Sequence, residues 1–152
     1  MHRLLANCQL CPRDCGVDRT VGNNGFCGAG TLSCVSRAAL HHWEEPPISG
    51  ARGSGTVFFS HCNLRCVFCQ NWEISHFGRG KEITVDELAE VMLKLQKSGC
   101  HNINLVTPTH YNAHILRALD LAAAKGLRLP IVYNTSGWEE LEIIKMLDGV
   151  ID

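Results

Sequence analysis

Three closely spaced cysteines, Cys62, Cys66 and Cys69, have the clearest chemical potential in this chain, in a Cys-x3-Cys-x2-Cys arrangement. A loop with this spacing can bring three thiolates to one small inorganic group. Ferredoxin-type iron–sulfur clusters take four cysteine ligands, one on each iron, so three cysteines leave one iron free to bind a substrate or cofactor. The alternatives are a zinc knuckle, with His61 or His76 as the fourth ligand, or three reduced thiols that bind no metal.

A second group of four cysteines lies near the N-terminus: Cys8, Cys11, Cys15 and Cys27. Its Cys-x2-Cys-x3-Cys-x11-Cys spacing suits a structural zinc ion or a second 4Fe–4S cluster. Either would stabilise a segment that has few core-forming residues. Reduced free thiols are the remaining interpretation. Two cysteines stand alone, Cys34 and Cys100, and Cys100 is predicted to be a small buried apolar residue.

The composition favours metal or redox chemistry inside the cell. Nine cysteines in 152 residues is a high content, yet it lies below the ~8–10% that marks small disulfide scaffolds. The formal net charge of −1 gives no electrostatic argument for a nucleic-acid or anionic-membrane partner. No apolar run approaches the ~18 residues of a membrane helix, and the N-terminus lacks the features of a secretory signal. The predicted location is therefore the cytoplasm.

The elements that must position these cysteines divide into two regions. Residues 1–55 are rich in turn formers and lack periodicity, which predicts a cysteine-rich irregular leader that ends in a glycine-rich solvated linker. From residue 56, β-prone runs alternate with amphipathic helices. The predicted strands cover 56–60, 103–106 and 131–134, and a fourth begins at 149.

Capping residues set the predicted helix boundaries. Thr84 and Glu87 have the spacing of a capping box for a helix over 84–99. Asn112 is the predicted N-cap of a helix that closes near residue 126. Ser136 and Glu139 have capping-box spacing for a third helix.

Strand–helix alternation with short connections is typical of right-handed βαβ units on a parallel sheet. A closed (β/α)8 barrel needs ~250 residues, whereas this chain has three such units and the start of a fourth strand. The sequence therefore predicts an α/β fold in which 56–152 form the front half of a partial (β/α) barrel, truncated at the fourth strand. The cysteine loop follows the first strand, at the end where such folds place their chemistry.

The Cys62–Cys69 loop resembles that of the radical S-adenosylmethionine superfamily, and residues 53–71 resemble the activating enzymes of glycyl-radical enzymes. The resemblance implies that Cys62, Cys66 and Cys69 bind a 4Fe–4S cluster whose open iron takes the amino and carboxylate groups of S-adenosylmethionine. It also places Phe68, next to the third cysteine, against the adenine. Reduction of the cluster would then cleave the sulfonium to methionine and a 5′-deoxyadenosyl radical, which removes a hydrogen atom from a substrate.

The same resemblance indicates further contacts and partners. Thr107 follows the second strand where relatives contact the methionine moiety, although residues 107–110 depart from the usual Gly-Gly-Glu-Pro type turn. Asn134 lies where relatives contact the ribose and carboxylate, and His110 is either a base or a structural residue. The implied partners are a glycyl-radical enzyme and a reduced flavodoxin- or ferredoxin-like electron donor. The alternatives are a radical enzyme acting on another substrate, a two-cluster electron-transfer protein and a zinc-binding module.

Overall fold

The computed structural model describes residues 2–152. The helices are α1 (His2–Ala6), α2 (Pro46–Ser49), α3 (Trp72–Ser75), α4 (Val85–Lys97), α5 (Asn112–Ala124) and α6 (Leu141–Leu147). The strands are β1 (Ser33–His41), β2 (Ser54–Phe59), β3 (Lys81–Ile83), β4 (Ile103–Val106) and β5 (Ile131–Asn134). None of the helices in this part of the chain has the length and apolar character needed to cross a bilayer.

The five strands form one mixed sheet in the order β3-β1-β2-β4-β5. The predicted strands β2, β4 and β5 pair in parallel. The connection from β2 to β4 contains α3, β3 and α4, and α5 connects β4 to β5. The predicted parallel pairing of β2, β4 and β5 in an α/β fold is therefore confirmed. The two strands on the other side, β1 and β3, pair antiparallel. Closure of this sheet into a partial barrel stays a prediction.

One face of the sheet supplies the main core. Val57, Ile103 and Leu105 are fully buried in a cluster with Leu88 of α4 and Ile115 of α5. Because successive residues of a strand point to opposite faces, the positions between them lie on the other face. On that face the register partners Thr56 and Asn104 are fully buried polar residues.

The leader is more ordered than its composition predicts, so the prediction of an irregular segment over residues 1–55 is wrong in part. The nine residues of β1 pair with β2, and the predicted linker residues Ser54 and Gly55 belong to β2. Gly55 is required by packing, since a Cβ there would lie 2.7 Å from Cys100 Sγ. Leu5 and Leu10 join a second apolar cluster with residues of α5 and α6.

The helix α4 has the predicted capping box. Thr84 Oγ1 accepts from the Glu87 N–H at 3.2 Å, and Glu87 Oε2 accepts from the Thr84 N–H at 2.8 Å. The sequence predicts one apolar stripe on this helix, formed by Val85, Leu88, Val91, Met92 and Leu95. Three of the five, Leu88, Met92 and Leu95, are buried. This helix could be predicted because its capping and its stripe are both local in sequence.

Two other predicted caps are wrong. Asn112 is the buried first residue of α5, and its Oδ1 lies 3.0 Å from the Tyr133 hydroxyl instead of capping the helix. Ser136 makes no cap either, because α6 begins at Leu141 after Glu140, which caps without a side-chain bond. The predicted fourth strand is also absent from the described residues, where 148–150 form a turn.

Candidate functional site

The loop with the three cysteines follows β2 directly and is closed by α3. The His61 N–H donates to the Ile74 carbonyl at 2.8 Å, which fixes the two ends of the loop together. His61 and Arg65, each just before a cysteine, have φ values of 69° and 52°. Non-glycine residues rarely adopt this left-handed conformation, so the surrounding contacts must hold the loop in place. The His61 ring is wedged against Gly28 and Gly78, where no Cβ would fit.

The donor set of the loop fits a bound cluster. Cys62, Cys66 and Cys69 are half-buried. The Leu64 N–H donates to Cys62 Sγ at 3.4 Å, and the Ser75 hydroxyl donates to Cys69 Sγ at 3.4 Å. Hydrogen bonds to the ligating sulfurs are typical of iron–sulfur sites.

These thiols are not arranged around a single ion. Within residues 2–152, no three Cys, His, Asp or Glu side chains lie close enough together to hold one ion. A 4Fe–4S cluster binds each cysteine to a different iron, so its ligands stand farther apart than those of one ion. His76, a candidate zinc ligand, has its Nδ1 2.9 Å from the Ser75 hydroxyl.

The structure brings Thr107 and Asn134 together at the ends of β4 and β5. The Thr107 N–H donates to the Asn134 carbonyl at 3.0 Å, and Thr107 has a φ of 58°. Asn134 is exposed and Thr107 is half-buried. Phe68 is also exposed, over 87% of its surface, on the cysteine loop. The three residues are accessible to a ligand, and their roles stay predictions.

The structure favours the structural interpretation of His110. The side chain is 1% exposed and its Nε2 lies 2.9 Å from the Ser60 carbonyl oxygen. Burial lowers its pKa to about 3, with Arg19 and two other histidines adding to the effect. The imidazole is therefore neutral near pH 7 and holds the end of β2.

Sequence reasoning missed the bridging role of Glu139. Its Oε1 accepts from the hydroxyls of Thr109, at 2.5 Å, and Thr135, and its Oε2 lies 3.2 Å from the Tyr133 hydroxyl. The carboxylate therefore joins the loops that follow β4 and β5. The capping-box spacing drew attention to this residue, but its actual partners lie on other segments.

A second missed feature joins the leader to the cysteine loop. The Arg13 Nε donates to the Asn63 carbonyl at 3.0 Å, and its guanidinium lies 3.7 Å from the centre of the Phe26 ring. On the other side, Arg65 donates from Nη2 to the Cys27 carbonyl at 3.1 Å. In the sequence, Arg13 and Arg65 each lie between two cysteines, which could have drawn attention to them. The sequence does not show which segments their side chains join.

The four leader cysteines are neighbours in space. Cys8, Cys11 and Cys27 are buried and Cys15 is half-buried. Burial raises the pKa of the Cys11 thiol to about 11, and the proximity of the other three thiols contributes to the rise. The lone Cys100 is 2% exposed, which confirms the prediction that it is buried.

The comparisons with known proteins agree with this geometry. The family model of the Radical SAM superfamily matches residues 56–150. Two uncharacterized proteins of Methanocaldococcus jannaschii, MJ0674 and MJ0808, are 32% and 28% identical over 98% and 92% of this chain. The chain spans 44% and 46% of their respective lengths.

A pyruvate formate-lyase-activating enzyme of Clostridium pasteurianum is 34% identical over 58 residues, which are 38% of this chain and 24% of that protein. No solved structure matches the chain. The family match covers most of the chain and contains the whole cysteine loop, as the resemblance in the sequence predicted. The chain therefore belongs to the radical S-adenosylmethionine superfamily.

Proposed function

We propose that this chain holds the cluster and positions the cofactor of a radical S-adenosylmethionine enzyme that removes a hydrogen atom from a glycine of a partner protein. The observation that carries the proposal is the Cys62–Cys69 loop at the carboxyl end of a parallel strand, with two sulfurs that accept hydrogen bonds. Superfamily enzymes use a 4Fe–4S cluster and S-adenosylmethionine, which confirms the two predicted cofactors.

The residues of the chain have separable tasks in this proposal. Cys62, Cys66 and Cys69 would hold three irons, and Phe68 would lie along the adenine. Thr107 and Asn134 would offer polar contacts to the rest of the cofactor. When bound, the cluster and S-adenosylmethionine supply one-electron cleavage of the sulfonium to methionine and a 5′-deoxyadenosyl radical. No side chain of this chain needs to act as an acid or base in that step.

The glycine substrate is supported by a short match. The activating enzyme of C. pasteurianum is similar to this chain over 58 residues. The departure from the Gly-Gly-Glu-Pro pattern at 107–110 favours the second candidate, a radical enzyme that acts on another substrate. In either case a reduced flavodoxin- or ferredoxin-like protein would donate the electron.

The test is anaerobic reconstitution with iron and sulfide, followed by electron paramagnetic resonance of the reduced protein with and without S-adenosylmethionine. We expect a cluster signal that changes when S-adenosylmethionine is added, and we expect 5′-deoxyadenosine among the products. Cys66→Ala should abolish both, whereas Cys100→Ala, which removes a buried cysteine outside the loop, should retain them. If the spectrum is the same with and without S-adenosylmethionine, and no 5′-deoxyadenosine forms, the result would favour the electron-transfer alternative.

The substrate class needs a separate measurement. The reduced, cofactor-loaded protein is mixed with a glycyl-radical enzyme, and the glycyl radical signal is followed by electron paramagnetic resonance. A signal that requires Cys66 supports the activating role. Formation of 5′-deoxyadenosine without a glycyl radical would favour the second candidate. Stoichiometric zinc without iron in protein purified anaerobically would instead favour the zinc-binding module.

A further inference from the structure

Arg19 has a permanent charge in the interior of the protein. The residue is fully buried. Its Nε and Nη2 donate to the Gly30 carbonyl at 3.0 and 2.7 Å, and its Nη1 donates to the His110 carbonyl at 2.8 Å. Among residues 2–152, no carboxylate lies within ion-pair distance of this guanidinium.

A buried cation without an anion is strongly unfavourable, because carbonyl dipoles solvate the charge without neutralising it. The nearby titratable side chains His61, His110 and His114 supply no negative charge. The guanidinium lies 5.6 Å from the centre of the Tyr111 ring, which supplies no full negative charge, and its Nη1 lies 4.0 Å from Cys8 Sγ. Cys8 is the first of the four leader cysteines.

Each sulfur of the leader group faces an N–H donor. The Ala29 N–H donates to Cys27 Sγ at 3.4 Å, and the Phe26 N–H donates to Cys15 Sγ at 3.5 Å. The backbone N–H of Arg13 faces the sulfur of Cys11. N–H donors that face the sulfurs are typical of metal-binding cysteine loops.

The lone cysteines lie apart from this group. Cys34 and Cys100 donate from sulfur to the carbonyls of Gly78 and Leu95, at 3.6 and 3.2 Å, as protonated thiols do. Backbone N–H groups of Gly55 and Asn102 also face Cys100 Sγ, so the leader group differs in that its four sulfurs lie near one another and beside Arg19.

We infer that Cys8, Cys11, Cys15 and Cys27 form a tetrathiolate metal centre whose negative charge is compensated by the buried Arg19. A zinc ion and a 4Fe–4S cluster with four thiolates are both dianionic, and both therefore supply the anion that Arg19 lacks. The thiols lie near one another but do not form a chelating group as they stand, so the side chains must rearrange to bind the metal.

The centre would also fix the leader on the cysteine loop. The Cys27 carbonyl accepts from Arg65, and Arg13, between Cys11 and Cys15, donates to Asn63. Metal binding at the leader would therefore order the segment that contacts the Cys62–Cys69 loop.

The test begins with a triple variant, Cys62→Ala/Cys66→Ala/Cys69→Ala, which has no cluster-loop thiols, so the result is independent of the proposed function. Protein purified anaerobically is analysed for zinc, iron and acid-labile sulfide. We expect the triple variant to contain about one zinc per chain, or about four irons with acid-labile sulfide. Adding Cys11→Ala and Cys27→Ala should remove this metal, and adding Cys34→Ala and Cys100→Ala, as the matched control, should leave it. A folded triple variant that has no stoichiometric metal would overturn the inference.

Because the leader variants can fail to fold, a second measurement uses the triple variant alone. Thiol alkylation under native conditions is followed by mass spectrometry before and after metal removal with a chelator, preceded by an oxidant where the metal is iron. The four leader thiols should be protected together at first and become reactive together afterwards, while Cys34 and Cys100 stay unchanged. If alkylation of the leader thiols is the same before and after metal removal, the result would contradict the proposed centre.

Discussion

Phe68 is an aromatic side chain with little packing role in the described structure. It is 87% exposed, and the neighbouring Val67 is 98% exposed. Because Phe68 packs against little else, its removal should cost little folding free energy. The predicted contact with adenine can therefore be tested separately from stability.

We expect Phe68→Ala to change the free energy of unfolding by less than about 0.5 kcal/mol. In the reconstituted protein it should weaken S-adenosylmethionine binding by about 1–3 kcal/mol, the usual range for base–aromatic stacking. Isothermal titration calorimetry measures the affinity and urea denaturation measures the stability. Phe77→Ala is the control, since Phe77 is exposed but makes an edge-on contact with Trp72, with the ring centres 4.8 Å apart. Unchanged affinity in Phe68→Ala would contradict the adenine contact.

At the scale of elements, the two predicted capping boxes can be compared directly by mutation. The Thr84–Glu87 box is present and the Ser136–Glu139 box is not. We expect Thr84→Ala to lower the free energy of unfolding by about 1 kcal/mol, because the N-terminus of α4 loses a hydrogen bond. Ser136→Ala should change it by less than about 0.5 kcal/mol. Urea denaturation compares the two, and equal losses would show that both boxes form in solution.

Glu139 should contribute more to stability than an ordinary loop residue does. Glu139→Ala leaves the hydroxyls of Thr109 and Thr135 without their acceptor and is expected to lower stability by about 1–3 kcal/mol. Amide hydrogen exchange should rise at 107–111 and 133–136. Glu140→Ala is the matched control, because that side chain makes no capping bond. Exchange that rises equally in both variants would argue against the bridge.

Elements whose signals are local could be predicted from the sequence, and elements that depend on distant partners could not. The helix α4 and the strands β2, β4 and β5 follow from periodicity and caps. β1 was missed because its stability comes from pairing with β2, a contact that no local pattern shows. The cysteine loop could be predicted from its spacing. The Glu139 bridge could not, because Thr109 lies on another loop and Tyr133 on a strand.

At the scale of the whole molecule, buried neutral histidines make stability depend on pH. Burial lowers the pKa of His110 to about 3 and also lowers that of His114. The unfolded histidines titrate near ~6.5, so below that pH the unfolded state binds more protons than the folded state. The contribution to stability is complete above about pH 6.5 and is lost as the pH falls towards about 3.

We expect the free energy of unfolding to decrease from pH 7.5 to pH 5, by up to about 1.4 kcal/mol per pH unit for each such histidine. His110→Gln should reduce this slope, since its amide does not titrate. His42→Gln, at an exposed position, should keep the slope of the unmodified protein. Urea denaturation at several pH values measures it. Equal slopes for His110→Gln and the unmodified protein would contradict the assignment.

The strand order also determines which side of the molecule is prone to self-association. The edge strand β3 has three residues, and the charged side chains of Lys81 and Glu82 are exposed on it. Short charged edges resist pairing with another chain. At the opposite edge, β5 has no charged residue, and Asp152 bonds to the backbone of Ile131 at its start. Because Asp152 already occupies the backbone groups of Ile131, pairing with another strand is expected only beyond that residue. Amide protection at 132–134 that rises with protein concentration would reveal it.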